Sequence, residues 1–236
     1  MDVERVLVAR RHPSLIDLKS FLEARAAREA SRVGPRVRCE RCRNPDALCY
    51  CARLRPFRCE PRFAILIHKR ESIRTIATGR MAHLSFPNSV LFQGFNFSEH
   101  EGVLRILQDP ANHCCVLYPG PGAVALQSLS SEQRTRLWPE GKQVWIFVID
   151  ATWSQAKRIW RFSRVLHGLP RLCFTPPVLS RFTIRQQPRD WCFSTLEAMH
   201  EVLRLLGKNP PAEVLEPLDW IVSQQGVLRR ERPPRT

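Results

Sequence analysis

Four cysteines stand within 13 residues, as Cys39-x2-Cys42-x6-Cys49-x-Cys51. A CxxC turn can chelate one ion through both sulfurs, and a close second pair completes a tetrahedral four-sulfur site. The segment is polar and short, with little core in which to bury four ordinary thiols. Arg38, Arg41, Arg43 and Arg53 around it favour thiolates and offset the charge of a tetrathiolate. This donor set predicts a structural zinc ion, with an iron–sulfur cluster the second choice on ligand type. Cys59 lies eight residues further on and reads as a bystander, while Cys114, Cys115 and Cys173 sit in apolar runs and read as core.

A second group lies at Asp150-Ala151-Thr152-Trp153, directly after the apolar run 144–149. In open α/β sheets, ligands bind beyond the carboxyl ends of strands, so Asp150 stands where a catalytic carboxylate belongs. A helix follows from 153, and its unpaired N–H groups and positive dipole end can hold an anionic group. The plainer alternative is that Asp150 or Thr152 only caps that helix, with Gln155 completing a capping box. Lys157, Arg161 and Arg164 recur at i, i+4 and i+7 with Arg158 adjoining, a basic stripe suited to phosphates.

These groups need elements to hold them. Apolar runs at 63–67, 90–92, 114–118, 144–149 and 172–174 are apolar on successive residues, as in strands buried on both faces of a mainly parallel sheet. Helices are predicted between them at 99–108, 131–138, 153–164 and 195–206. Capping boxes are expected at Ser98…Glu101, Ser130…Gln133 and Ser194…Glu197. The alternation predicts an open α/β fold. Residues 14–31 carry an amphipathic pattern ended by Gly34-Pro35. The expected division is an N-terminal helix in 1–36, a zinc module in 37–60, an α/β catalytic domain in 61–226 and a basic tail in 227–236.

The chain of 236 residues is 44% apolar and 25% charged, an ordinary globular composition, but carries a net charge of +15. Only five of its 37 basic residues are lysine, so 32 are arginine. Arg presents a planar fork suited to phosphates and stacks on bases, which favours a nucleic-acid partner. The charged N-terminus lacks the apolar stretch of a signal peptide, and no run approaches the ~18 apolar residues of a membrane helix. A cytoplasmic protein without a membrane partner is expected, so the nine cysteines read as reduced thiols or metal ligands.

Asp150-Ala151-Thr152-Trp153, continued by Ser154-Gln155-Ala156-Lys157, resembles the signature of the DTW-domain family. Ser194-Thr195-Leu196-Glu197-Ala198 is similar to that family's STLEA motif, Arg185-Gln186-Gln187-Pro188 before it to an R-x-x-P pattern, and the four cysteines to its N-terminal thiols. The resemblance covers about 37–207. Ala151 replaces a common Gly, and His68-Lys69-Arg70-Glu71 replaces an H-P-x-E-like segment.

The resemblance implies a SPOUT-like fold with a knotted C-terminal cofactor site. It implies transfer of the 3-amino-3-carboxypropyl group of S-adenosylmethionine to N3 of a tRNA uridine, in the variable loop, releasing 5′-methylthioadenosine. On that basis Asp150 is the expected base. Tyr118, Gly120, Thr152, Trp153, Ser194, Thr195, Leu196 and Glu197 are the expected cofactor contacts. Arg80, Lys157, Arg158, Arg161 and Arg164 are expected on RNA, and Cys39, Cys42, Cys49 and Cys51 on zinc. Methyl transfer by a similar fold, and a non-catalytic zinc RNA-binding module, remain as alternatives.

Overall fold

The computed structural model of the chain describes Glu23 and residues 38–74, 76–184 and 192–230. The chain divides into two compact units, Met1–Val37 and Arg38–Thr236, and everything below concerns the second. The amphipathic helix expected over 14–31 and the Arg185–Pro188 motif lie outside the described residues, Glu23 apart.

Six parallel strands form one sheet: β1 (Arg62–His68), β2 (Val90–Gly94), β3 (Asn112–Leu117), β4 (Val124–Ala125), β5 (Gln143–Asp150) and β6 (Arg171–Cys173), in the order β2-β1-β5-β3-β6-β4. The continuous apolar runs have the cause expected of them. Phe63 and Ile65 of β1, Cys115 of β3 and Ile146 and Val148 of β5 enter one core. Their neighbours Ala64, Leu66, Val116, Trp145 and Phe147 enter the other. Successive side chains of a strand point to opposite faces, so a strand covered on both must be apolar throughout.

The helices are α1 (Lys69–Ser72), α2 (Thr78–Ser85), α3 (Glu101–Gln108), α4 (Ser131–Leu137), α5 (Trp153–Phe162), α6 (Thr195–Leu205) and α7 (Glu216–Arg230). Met81 of α2, Met199 of α6 and Leu218 of α7 pack into the first core, Val103 of α3 and Ile159 of α5 into the second. The cysteine-rich segment joins the first core through Cys42, Leu48, Tyr50 and Leu54. It therefore shares a hydrophobic core with the sheet.

Capping decides where several helices begin. The boxes at Ser130…Gln133 and Ser194…Glu197 form as expected, and Thr152…Gln155 forms a further one. The Ser98…Glu101 box does not: His100 is the N-cap of α3, its ring nitrogen accepting from Val103 N–H at 3.4 Å. Ser98 instead donates its hydroxyl to the carbonyl of Phe162 at 3.2 Å. The last helix runs through Arg230, so residues 227–230, expected in a basic tail, continue it. No helix among the described residues is long and apolar enough to cross a membrane.

Candidate functional site

At the carboxyl edge of the sheet lies a cavity of about 440 Å³. Its floor is the ends of three neighbouring strands, Val148 to Asp150 of β5, Leu117 of β3 and Leu172 and Cys173 of β6. Its rim is Glu71 of α1, Thr78 of α2, the loop start Tyr118-Pro119, and the first residues of α5 and α6. Phe174, Phe182 and Phe193 add an apolar wall. Strand ends present their next residues to solvent together, which is why the site gathers here and not at the opposite edge.

Asp150 closes β5 opposite Ile67 of β1 and is 6% exposed. Its Oδ1 accepts the hydroxyl of Thr195 at 2.5 Å and that of Thr78 at 3.4 Å. The carboxylate thus joins the starts of α2 and α6 to the end of β5, while still lining the cavity. Gly79 makes this approach possible: a Cβ there would lie 2.7 Å from Asp150 Cγ and 2.9 Å from its Cβ. That side chain is buried and bonded to Thr195, so an added methyl forces it out of its place. We predict that Gly79→Ala displaces Asp150 and lowers any activity of this site at least 100-fold, more than its cost in thermal stability accounts for. Wild-type turnover by that variant would show that the close approach does not matter.

Two helix starts face the cavity. In α5 the capping box uses Gln155 N–H, and in α6 it uses Glu197 N–H, each bonded to the N-cap hydroxyl at 3.4 Å. The N–H groups of the first two residues in each, Trp153 and Ser154, and Thr195 and Leu196, have no intrahelical acceptor. Paired helix N-termini at one cavity form a binding place for a carboxylate.

Several of the residues expected at the cofactor lie at the cavity. Tyr118, Thr152, Trp153, Ser194 and Thr195 line the cavity, Trp153 being 41% exposed. Tyr118 also stacks on Trp160 of α5, with centroids 4.6 Å apart and planes 9° apart. Three do not. The Leu196 side chain is fully buried in the first core, and only its N–H belongs to the helix start. Gly120 is exposed at φ +143° in a loop held by Arg171, which donates to the carbonyl of Pro121.

Glu197 is also off the cavity, with its carboxylate fully used. It accepts from Arg181 N–H at 2.7 Å, from the Ser180 hydroxyl at 2.8 Å and from Ser194 N–H at 2.8 Å. It fastens the 180–182 loop, and so the cavity wall at Phe182, to the start of α6. Removing it takes the acceptor from one buried and two part-buried donors, so Glu197→Ala should cost about 2–4 kcal/mol in urea unfolding. A change under 0.5 kcal/mol would mean the carboxylate holds nothing.

The basic residues separate likewise. Arg80, expected on RNA, is 6% exposed and donates to the carbonyl of Ser72 at 2.7 Å. It is an internal strut. Burial, and then the neighbouring Arg43, lower its pKa from the ordinary guanidinium value. Lys157, Arg158, Arg161 and Arg164 are exposed, as expected of a surface stripe.

Sequence reading missed Glu71, Thr78, Phe174, Phe182, Phe193 and Cys192 as cavity residues, and assigned Cys173 to the core although it lines the cavity. Glu71 is 3% exposed, with Arg74 Nε 3.0 Å from its carboxylate. A buried carboxylate at the end of His68-x-x-Glu71 was the available signal. The phenylalanines carried none, because one apolar residue in a loop has no period to betray its partner.

The four cysteine sulfurs lie within 4.8 Å of one another. Cys39 and Cys51 sulfurs are 3.6 Å apart, and those of Cys42 and Cys49 3.7 Å. A tetrahedron of sulfurs about 2.3 Å from a central ion has edges of about 3.8 Å, so the cluster fits a metal ion. The turn Cys39–Arg43 closes with Arg43 N–H to the Cys39 carbonyl at 2.7 Å, Arg43 taking φ +60°. Backbone N–H groups of Cys42 and Arg41 aim at the Cys39 sulfur and lower its thiol to about 7, while burial raises that of Cys42. Cys59, outside the cluster, is pushed up to about 12 by burial and reads as packing.

The arrangement is that of a parallel α/β domain with a ligand cavity at its strand ends and a four-thiol metal cluster built into its core. The family model for the DTW domain matches residues 36–226, and the chain belongs to that family. It is 30% identical over 182 residues to tRNA-uridine aminocarboxypropyltransferase 2 of Drosophila melanogaster, covering 74% of this chain and 68% of that protein. It is 31% identical over 197 residues to the Mus musculus protein of the same name, covering 80% and 64%. The chain thus spans about two thirds of the length of these relatives. No solved structure matches it.

Proposed function

We propose that the protein transfers the 3-amino-3-carboxypropyl group of S-adenosylmethionine to N3 of a uridine in tRNA. The supporting observation is the cavity: a carboxylate at the end of a buried strand, two helix starts able to bind a second carboxylate, and an aromatic wall, in a chain whose relatives bear the name of that reaction. The sulfonium donor, when bound, supplies an activated carbon, the methionine Cγ, with methylthioadenosine as leaving group.

The protein's own residues have three tasks. The N–H groups at the starts of α5 and α6 hold the donor's carboxylate, which aims Cγ, in place of the methyl carbon, at the base. Phe174, Phe182 and Phe193 exclude water and supply apolar and stacking surface for a ring. Asp150 accepts the N3 proton as the N3–Cγ bond forms and the Cγ–S bond breaks, so that the base attacks with its lone pair. Thr195 and Thr78 fix the direction of that carboxylate.

In the same reading the cysteine cluster holds one zinc ion as a structural element, the tRNA variable loop is the target, and the protein works in the cytoplasm. The test is mass spectrometry of nucleosides from tRNA incubated with protein and S-adenosylmethionine. A 3-(3-amino-3-carboxypropyl)uridine peak supports the reading. A methylated uridine, or an unchanged tRNA, overturns it.

A further inference from the structure

Beside the cavity, away from any residue assigned above to the chemistry, two aromatic side chains face solvent next to exposed cations. Phe162 ends α5 and is 42% exposed, and Phe95 follows β2 and is half-buried. Their rings lie 5.1 Å apart at 43°. The Arg158 guanidinium sits 5.3 Å over the Phe95 ring and that of Arg161 5.5 Å over the Phe162 ring. His68, the last residue of β1, meets the edge of Phe95 at 6.2 Å. We propose that this surface is a stacking platform for an unpaired nucleotide of the RNA substrate, flanking the target uridine.

Single exposed apolar residues are common and mean little. Three features set this surface apart. The rings are held in place: Phe97 N–H donates to the Ser163 hydroxyl at 3.0 Å and Ser98 to the Phe162 carbonyl, so the 95–98 loop is tied to the end of α5. Cations accompany them: Arg158 and Arg161 lie over the rings, Lys69, Arg70, Lys157 and Arg164 are exposed at neighbouring positions of the chain, and none of the six forms an ion pair among the described residues. Finally, the platform adjoins the site. Two residues separate His68 from Glu71 in the cavity, and α5 runs from Trp153 on the cavity to Phe162, a rise of about 13 Å.

Phenyl rings and guanidinium planes both offer faces on which bases stack, and stacking of this kind tolerates sequence. A base can reach them only if it is not paired in a helix. The cations supply the phosphate attraction that brings the strand there. Duplex RNA has no free base face, so the occupant is a loop or single-stranded nucleotide.

The proposal rests on the RNA-modification reading, and the experiment separates the two. Binding of an in-vitro transcribed tRNA to the full-length protein is measured by fluorescence anisotropy over a range of salt. Phe162→Ala should raise Kd about 10-fold with an unchanged salt slope and unchanged affinity for S-adenosylmethionine, and Phe162→Trp should stay within about twofold of wild type. Arg161→Ala should instead flatten the salt slope, and a single-stranded oligoribonucleotide should compete where a duplex of equal length does not. Wild-type binding by Phe162→Ala, failure of Phe162→Trp to rescue, or equal competition by duplex would overturn the platform alone. A wild-type protein that binds no tRNA would overturn the proposed function itself.

Discussion

Replacing Asp150 by Asn is expected to lower single-turnover transfer by 10²–10⁴, the range a positioned general base supplies. The substitution isolates that role because it changes charge and keeps shape. The Asn Oδ1 still accepts the Thr195 hydroxyl, and the amide fits where the carboxylate meets Gly79. The starts of α2 and α6 should therefore stay in place, and S-adenosylmethionine should bind within a few-fold of wild type. The result to look for is a loss confined to the chemical step. Turnover like that of the wild type would show that Asp150 only ties the helix starts together. An equal loss of donor affinity and rate would point to a collapsed site.

The second large effect concerns the cysteine cluster. Cys49→Ser should reduce zinc from one ion per chain to well under half on elemental analysis, and the protein should melt at least 10 °C lower. Structural zinc contributes about 10–16 kcal/mol of apparent binding free energy at pH 7, and that energy is coupled to folding. Here the coupling is direct, because Cys42, Leu48, Tyr50 and Leu54 are part of the same core as α2, α6 and α7. Losing the ion opens that core, which also holds Phe182 of the cavity wall and Leu196 of α6, so transfer should fall with stability. A metal-free protein that melts and reacts as the wild type does would remove the ion from the account.

The strands were legible because burial on both faces leaves a signature that no loop shares: five runs of successive apolar residues match β1, β2, β3, β5 and β6 to within a few residues. The two-residue β4 is too short to leave one. Helix starts with a Ser or Thr box were legible for Ser130 and Ser194, but His100 took the role predicted for Ser98, because Ser98 was drawn off to Phe162 by tertiary contact.

The one-turn α1 and the longer α2 and α7 were missed. Thr78–Ser85 mixes Gly, Arg and His with few apolar residues, and Glu216–Arg230 opens with a Pro that reads as a break but suits a first turn. At the site, Asp150 and the start of α5 were readable because they follow directly from a strand end, and the start of α6 because Ser194 and Glu197 form a capping box. The side chains of Arg80, Leu196 and Glu197 lie off the cavity for one reason: a motif fixes which residues are present, and only packing decides whether a side chain faces the cavity or the core.

The central claim is that the cavity aims the Cγ of the donor at a uridine. It is tested most directly by the small molecule left when protein, tRNA and S-adenosylmethionine react. The account predicts 5′-methylthioadenosine, formed one for one with modified uridine and lost in Asp150→Asn. S-adenosylhomocysteine in its place would mean that the methyl carbon is aimed at the RNA, and would contradict the geometry proposed here.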